Sequence, residues 1–326
     1  MEIEFLGTGA GQPSKQRNVT SIALRLLDER NEVWLFDVGE ATQHQLLKSN
    51  TRARKITKIF ISHMHGDHIF GLPGFLTSRN FQGSEAIDQG RPSDLTIYGP
   101  AGLRQYVFSA LKAAQVRLQY RVDFVEVHPG VVFQDKQFSV TAFAMNHGIE
   151  DYAYRIVEAD AVGELQVAKL LNLGLKSGPL FGQIKAGQDI SLPDGRVLKS
   201  ADFIGPDRPG RIVTIVMDTK SNPAIIEAAK NADLLVHEST YDGQNTAMAK
   251  KHGHSTCVQA AENAKKAQAK HLILTHISAR YLGRAADNLL DEARAVFKNT
   301  DLAHDLAVFP IPAKVPVTEK LVKAHA

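Results

Sequence analysis

The chain is poor in cysteine: Cys257 is the only one in 326 residues, which excludes an intrachain disulfide and any cysteine-rich zinc site. No apolar run approaches the roughly 20 residues that a membrane-spanning helix needs. The opening Met1-Glu2-Ile3-Glu4-Phe5 has no basic segment ahead of an apolar core, so no signal peptide is expected and the cytoplasm is the expected compartment. Charge of one sign is not in excess either, with 38 basic against 35 acidic residues and a net charge of +3. Any affinity for nucleic acid must therefore come from local patches. No internal repeat of fixed short period is present. What remains, 44% hydrophobic and 22% charged residues, is the composition of an ordinary globular protein. The length allows two domains or one large α/β domain.

Against this background one stretch stands out, His63-Met64-His65-Gly66-Asp67-His68. It follows the strand-like Lys58-Ile59-Phe60-Ile61-Ser62 and leads into Gly71-Leu72-Pro73-Gly74. Alternation along an extended segment points His63 and His65 the same way. A turn at Gly66 lets Asp67 and His68 face a neighbouring point. Neutral imidazole and carboxylate are the ligands that zinc-type ions prefer, and one cluster facing two points suggests two ions.

Apolar strands and amphipathic helices alternate along most of the chain. His63, His147, Asp218, Glu238 and His276 each stand at or just beyond the carboxyl end of an apolar strand. In open α/β sheets such ends share a rim where ligands bind, so these scattered residues are expected to converge. Gly7-Thr8-Gly9-Ala10-Gly11 reads as a tight turn rather than a phosphate cradle, His252 as a surface residue, and His44 either as a neighbour of the site or the RNA or as a packing or surface residue. From about 158 to 210 the character changes: glycines punctuate the segment, amphipathic periodicity is scarce, and it carries Lys176 and Lys185 among other cations. A long, flexible, basic insertion of this kind inside a compact domain is expected to be functional. The β/α rhythm before and after it hints at two related halves.

These motifs resemble the metallo-β-lactamase superfamily and, within it, the ribonuclease Z family of tRNA 3′-processing endonucleases. The superfamily signature is the His-x-His-x-Asp-His stretch with His147, Asp218 and His276. The narrower likeness rests on Pro13-Ser14-Lys15-Gln16-Arg17-Asn18, on Phe36-Asp37-Val38-Gly39-Glu40-Ala41-Thr42-Gln43, on His237-Glu238-Ser239-Thr240, on His254-Ser255-Thr256 and on Gly178-Pro179-Leu180 within the insertion. It covers essentially the whole chain. The resemblance implies a four-layer αββα sandwich over 1–326 with an inserted tRNA-binding arm at 158–210. It also implies a homodimer and a precursor tRNA substrate.

Carried over residue by residue, the resemblance implies that His63, His65 and His147 hold one Zn2+, that Asp67, His68 and His276 hold the other, and that Asp218 bridges them. Manganese or iron would suit the same donors. Asp67 is then a general base or the group that orients the attacking water, and His254 the general acid, with Glu238 holding it. A plain helix-capping role for the loop around His254 is the competing reading. Lys15 and Arg17 are expected to face the precursor's 3′ end, and Lys176 and Lys185 to grip the tRNA. Two other readings share parts of this pattern. One is a phosphodiesterase, arylsulfatase or thioester hydrolase acting on small esters, and the other is a metal-stabilised RNA-binding module.

Overall fold

The computed structural model describes residues 1–88 and 95–314, with 82–88 described by their backbone. Most strands here are apolar on both faces, the pattern of strands covered from two sides. In β1 (Glu2–Gly7), β2 (Ser21–Leu26), β3 (Glu32–Phe36), β4 (Ile56–Phe60), β5 (Leu95–Gly99) and β6 (Val122–Glu126) the chain lays down one sheet. It then moves to a second sheet through β7 (Gly130–Gln134), β8 (Phe138–Ala144), β9 (Tyr152–Glu158), β10 (Ile212–Val216), β11 (Leu234–Glu238), β12 (Leu272–Thr275) and β13 (Thr300–Leu302). Finally β14 (Val308–Pro310) returns to the first sheet beside β1. The strand orders are β14-β1-β2-β3-β4-β5-β6 and β13-β12-β11-β10-β9-β8-β7.

Side chains alternate between two cores. Trp34, Phe36 and Phe60 of the first sheet pack on Phe138, Tyr154, Ile215 and Val236 of the second, in one continuous buried cluster between the sheets. Their neighbours in sequence point outward. Leu35 and Ile59 meet Leu72, Phe75, Leu103 and Val107 from helices outside the first sheet. Leu235 and Leu272 meet Ala260, Ala261, Ala264, Leu289 and Ala293 from helices outside the second. The helix Cys257–Lys266 shows why the outer layer forms where it does: Thr256 and Gln259 make a reciprocal capping box, and small alanines let the helix lie close to the sheet. The result is the helix–sheet–sheet–helix sandwich that the resemblance implied.

The segment Glu158–Arg211, with Ala313 and Lys314 among the described residues, clusters as a unit separate from Met1–Val157 and Ile212–Pro312. It carries regular structure of its own. Helices Val167–Asn172 and Pro179–Lys185 and the short ladder of Ile190–Ser191 with Val197–Leu198 surround a small core of Leu170, Phe181, Ile184, Leu198 and Phe203. Helices of under two turns carry too few residues to display a 3.6-residue period, so this core was invisible to periodicity. Glu158 and Arg211, first and last in the segment, form a buried two-pronged ion pair with both contacts at 2.7 Å.

Three further expectations change. The boundary between the two sheets falls at Gly130, ahead of the insertion, so the insertion lies inside the second sheet's half. The sequence pattern predicts a last helix over 289–297, and the helix runs over Arg284–Val296. The helix Thr246–His252 and the terminal strands β13 and β14 were not anticipated. Among the described residues no helix is long and apolar enough to cross a membrane.

Candidate metal centre

Seven side chains meet at the rim where strand ends of both sheets come together. Two groups of ligand atoms form there: His63, His65, His147 and Asp218, then Asp67, His68, Asp218 and His276, the atoms of each group lying within 4.8 Å of one another. Asp218 belongs to both, and its two oxygens divide between them. Oδ2 stands 3.7 Å from His63 Nε2 and 3.6 Å from His147 Nε2. Oδ1 stands 3.5 Å from His68 Nε2 and 3.0 Å from His276 Nε2. A carboxylate so placed can be shared by two ions.

Each inward-facing nitrogen is set by what its ring donates on the other side. His63 Nδ1 meets Ser62 Oγ at 2.9 Å, His68 Nδ1 meets Asp37 Oδ2 at 2.7 Å, His147 Nδ1 meets the Gly253 carbonyl at 2.8 Å, and His276 Nδ1 meets Thr240 Oγ1 at 3.0 Å. With the protons on Nδ1, all four Nε2 lone pairs face the centre, the arrangement by which outer partners fix metal-ligating imidazoles. His65 enters by its other nitrogen, Nδ1 lying 3.0 Å from both His63 Nε2 and His147 Nε2.

Those separations test the fit to a metal. Zinc–nitrogen bonds near 2.0–2.1 Å give a tetrahedral edge of about 3.3 Å, close to the 3.0 Å found among the three imidazoles. His68 Nε2 and Asp218 Oδ1 are buried without a hydrogen-bond partner, a costly state unless an ion takes them up. Among the described residues, every ion-pair partner of Asp37, Asp67, Asp151 and Asp218 is a histidine. Buried negative charge without lysine or arginine calls for cations. The donor set fits two divalent ions.

The electrostatics agree. Burial, then the charge of His68, pushes the His63 imidazole far down, and burial followed by His147 lowers His65, so both offer lone pairs. Burial would raise the Asp67 and Asp218 carboxyls, but His68 and His276 outweigh it and hold both as carboxylates. Burial also opposes charge on His68, yet Asp218, Asp37 and Asp67 together raise it well above an ordinary histidine.

Beside the centre lies a third group, Glu238, His254 and His276. Glu238 is fully buried and saturated: Oε1 accepts from the Thr219 and Ser255 amides at 3.0 and 2.8 Å, and Oε2 from Thr240 N and Oγ1 at 3.0 and 2.8 Å. A carboxylate so fixed receives His254 Nδ1 at 3.2 Å and leaves Nε2 free. Burial lowers the His254 imidazole, but Glu238 outweighs it and the value is raised to about 9.

Local backbone serves the same end. Asp37 and His276 both sit at positive φ, 58° and 56°, conformations costing about 1–3 kcal/mol that persist where surroundings over-determine them. Gly253 has φ 84°, and a Cβ there would stand 2.3 Å from the His147 carbonyl oxygen, so only glycine lets the two segments approach. The Gly7–Gly11 turn has a role beyond turning, since the Gly11 amide donates to Asp67 Oδ2 at 2.8 Å.

Residue reading alone missed this outer layer: Asp37, Ser62, Thr240, Gly253 and Gly11, and the buried Asp151, whose Oδ1 lies 3.7 Å from His63 Nδ1. Asp37 did carry a signal, for it follows an apolar strand as the ligands do. Lys15 is exposed on its loop and Lys176 and Lys185 are exposed on the second unit. Arg17 is a correction. Its guanidinium is buried, donating to Thr8 Oγ1 at 2.7 Å and to the Ala303 carbonyl at 2.6 Å, because the loop folds inward after Ser14. It braces the loop and does not face solvent.

Comparison with known proteins agrees with this architecture. Residues 1–157 match the family described as anti-Pycsar protein Apyc1. The chain is 73% identical over 314 residues to ribonuclease Z of Oenococcus oeni, covering 96% of this chain and 97% of that one. The crystal structure of human tRNase Z, short form, is 31% identical with a TM-score of 0.69 and is covered completely by 96% of this chain. The metallo-β-lactamase fold protein YhfI of Bacillus subtilis, at 21% identity and a TM-score of 0.63, covers 94% of this chain and 98% of its own, and shares the fold.

Proposed function

The chain belongs to the ribonuclease Z family, and from that membership we propose how its residues divide the work of removing the 3′ trailer from tRNA precursors. It is a metal-dependent endoribonuclease of tRNA 3′ processing. The observation that carries the residue assignment is Asp218, whose two oxygens serve two triads beside a separately held histidine. His63, His65 and His147 would hold one divalent ion and Asp67, His68 and His276 the other, with Asp218 common to both sets. Zinc is the ion we assign, because imidazole-rich sets with a few carboxylates suit it.

When bound, two such ions supply an activated water and offset charge on the phosphoryl group. Asp67, held from behind by the Gly11 amide, would orient an attacking water or take its proton. His254, held at Nδ1 by Glu238, gives the Nε2 proton to the departing ribose 3′ oxygen. Because the ribose 2′-hydroxyl is not the nucleophile, the products are a tRNA with a 3′-hydroxyl and a trailer with a 5′-phosphate. Exposed Lys176 and Lys185 contribute phosphate contacts from the Glu158–Arg211 arm, and Lys15 contacts the precursor near its 3′ end. Two copies act as a homodimer in the cytoplasm.

The experiment is cleavage of an end-labelled precursor tRNA, with Asp67→Ala and a chelated sample alongside. A single cut after the discriminator base, lost in both controls and restored to the chelated sample by zinc, is the expected result. A 2′,3′-cyclic phosphate on the tRNA fragment would refute the mechanism. Tight binding without a cut would favour an RNA-binding module.

A further inference from the structure

The cleft of about 450 Å³ over the metal centre has a wall that the chemistry above does not use, formed by Tyr241 and His252, with Ile149 also lining the cleft. His252 belongs to none of the clustered ligand groups, yet it is exposed within the cleft. Its ring lies nearly parallel to that of Tyr241, with centroids 6.4 Å apart and planes 26° apart. Tyr241 is buried, and the Arg280 guanidinium carbon stands 5.2 Å from its ring centre.

The backbone that carries this exposed ring is tied to the reacting groups. His252 ends the helix Thr246–His252, where the Gly253 and His254 amides both return to the Ala249 carbonyl. The Gly253 carbonyl receives His147 Nδ1, and His254 follows at once. An exposed aromatic ring carried on so fixed a backbone at the edge of a polar cleft has little to do in a folded body alone. Single-stranded RNA ends are recognised by stacking of splayed bases on aromatic and histidine rings, and such stacking accepts every base.

We propose that His252, backed by Tyr241, is the stacking platform for the base of the nucleotide whose 3′ oxygen departs. The side of the scissile bond is taken from His254, assigned above to protonate that oxygen: both rings line the cleft and both flank Tyr241, at 6.4 Å for His252 and 6.1 Å for His254. This inference rests on the ribonuclease reading and names the subsite that positions the substrate's last retained base.

The test compares wild type, His252→Ala and His252→Phe on three precursors: intact, abasic at the discriminator, and abasic at the first trailer nucleotide. On the intact precursor His252→Ala raises KM roughly tenfold with kcat little changed, as loss of one base–aromatic stack predicts, and His252→Phe restores most of it. Removing the discriminator base raises the wild-type KM similarly, and the two losses do not add. Additive losses, failure of phenylalanine to restore, or non-additivity with the trailer base instead would overturn the assignment. A wild type that leaves every precursor uncut marks failure of the ribonuclease reading itself, and the platform falls with it.

Discussion

Replacing Asp37 with asparagine isolates the contribution of one buried charge to one metal ligand. Asp37 Oδ1 accepts from the Ser62 amide at 2.7 Å, while Oδ2 accepts from Ser62 Oγ at 2.8 Å and His68 Nδ1 at 2.7 Å. Asparagine keeps the shape, and it tolerates the positive φ of 58° better than most residues. If its carbonyl stays on the Ser62 amide, its NH2 faces Ser62 Oγ and His68. The serine hydroxyl can turn and accept. His68 cannot, for an N–H then opposes an N–H. Its proton must move to Nε2, which removes the lone pair aimed at the centre. The loss is one hydrogen bond to a charged acceptor, about 1.5–3 kcal/mol, or roughly 10- to 150-fold in affinity at 1.4 kcal/mol per decade. Chelator competition on purified protein should show one of the two proposed zinc ions weakened by about 10- to 100-fold, with cleavage recovering partly at saturating zinc. Two ions held with wild-type affinity by a folded Asp37→Asn protein would refute the argument.

Gly253→Ala forces a side chain into the left-handed region at about 1–2 kcal/mol and drives its Cβ against the His147 backbone; thermal stability and zinc content should fall together. Arg17→Met removes a buried brace, so it should lower stability by about 1–3 kcal/mol in urea titration without weakening precursor binding; a rise in KM at unchanged stability would restore the RNA-facing reading. Lys176→Ala with Lys185→Ala should raise the precursor KM and flatten its salt dependence while hydrolysis of a small phosphodiester persists; equal loss of both activities would contradict the arm assignment.

The candidate ligands were legible because they share a local rule. His63, His147, Asp218 and His276 each follow an apolar strand, and strand ends deliver such residues to one rim. The partners that aim them obey no such rule. Gly253 reaches His147 across more than a hundred residues, and Asp37 reaches His68 across 31. Pairings of that range exist only after folding. Arg17 shows the converse: its loop was recognisable, but whether a cation points out or in depends on Thr8 and Ala303, which meet only in the folded body. The edge strands Thr300–Leu302 and Val308–Pro310 were missed because three residues are too few to establish an alternating pattern.

The antiparallel neighbours β9 and β10 are paired from Tyr154 with Ile215 to Val157 with Ile212, immediately beside the points where the excursion leaves and returns. In polymer terms the arm is an enlarged hairpin turn. Closing a longer loop costs only about 0.6 kcal/mol for each doubling of its length, and the Glu158–Arg211 clamp pins the two ends at its foot. Selection can therefore lengthen, shorten or rewrite this segment at little thermodynamic expense to the strands that carry it.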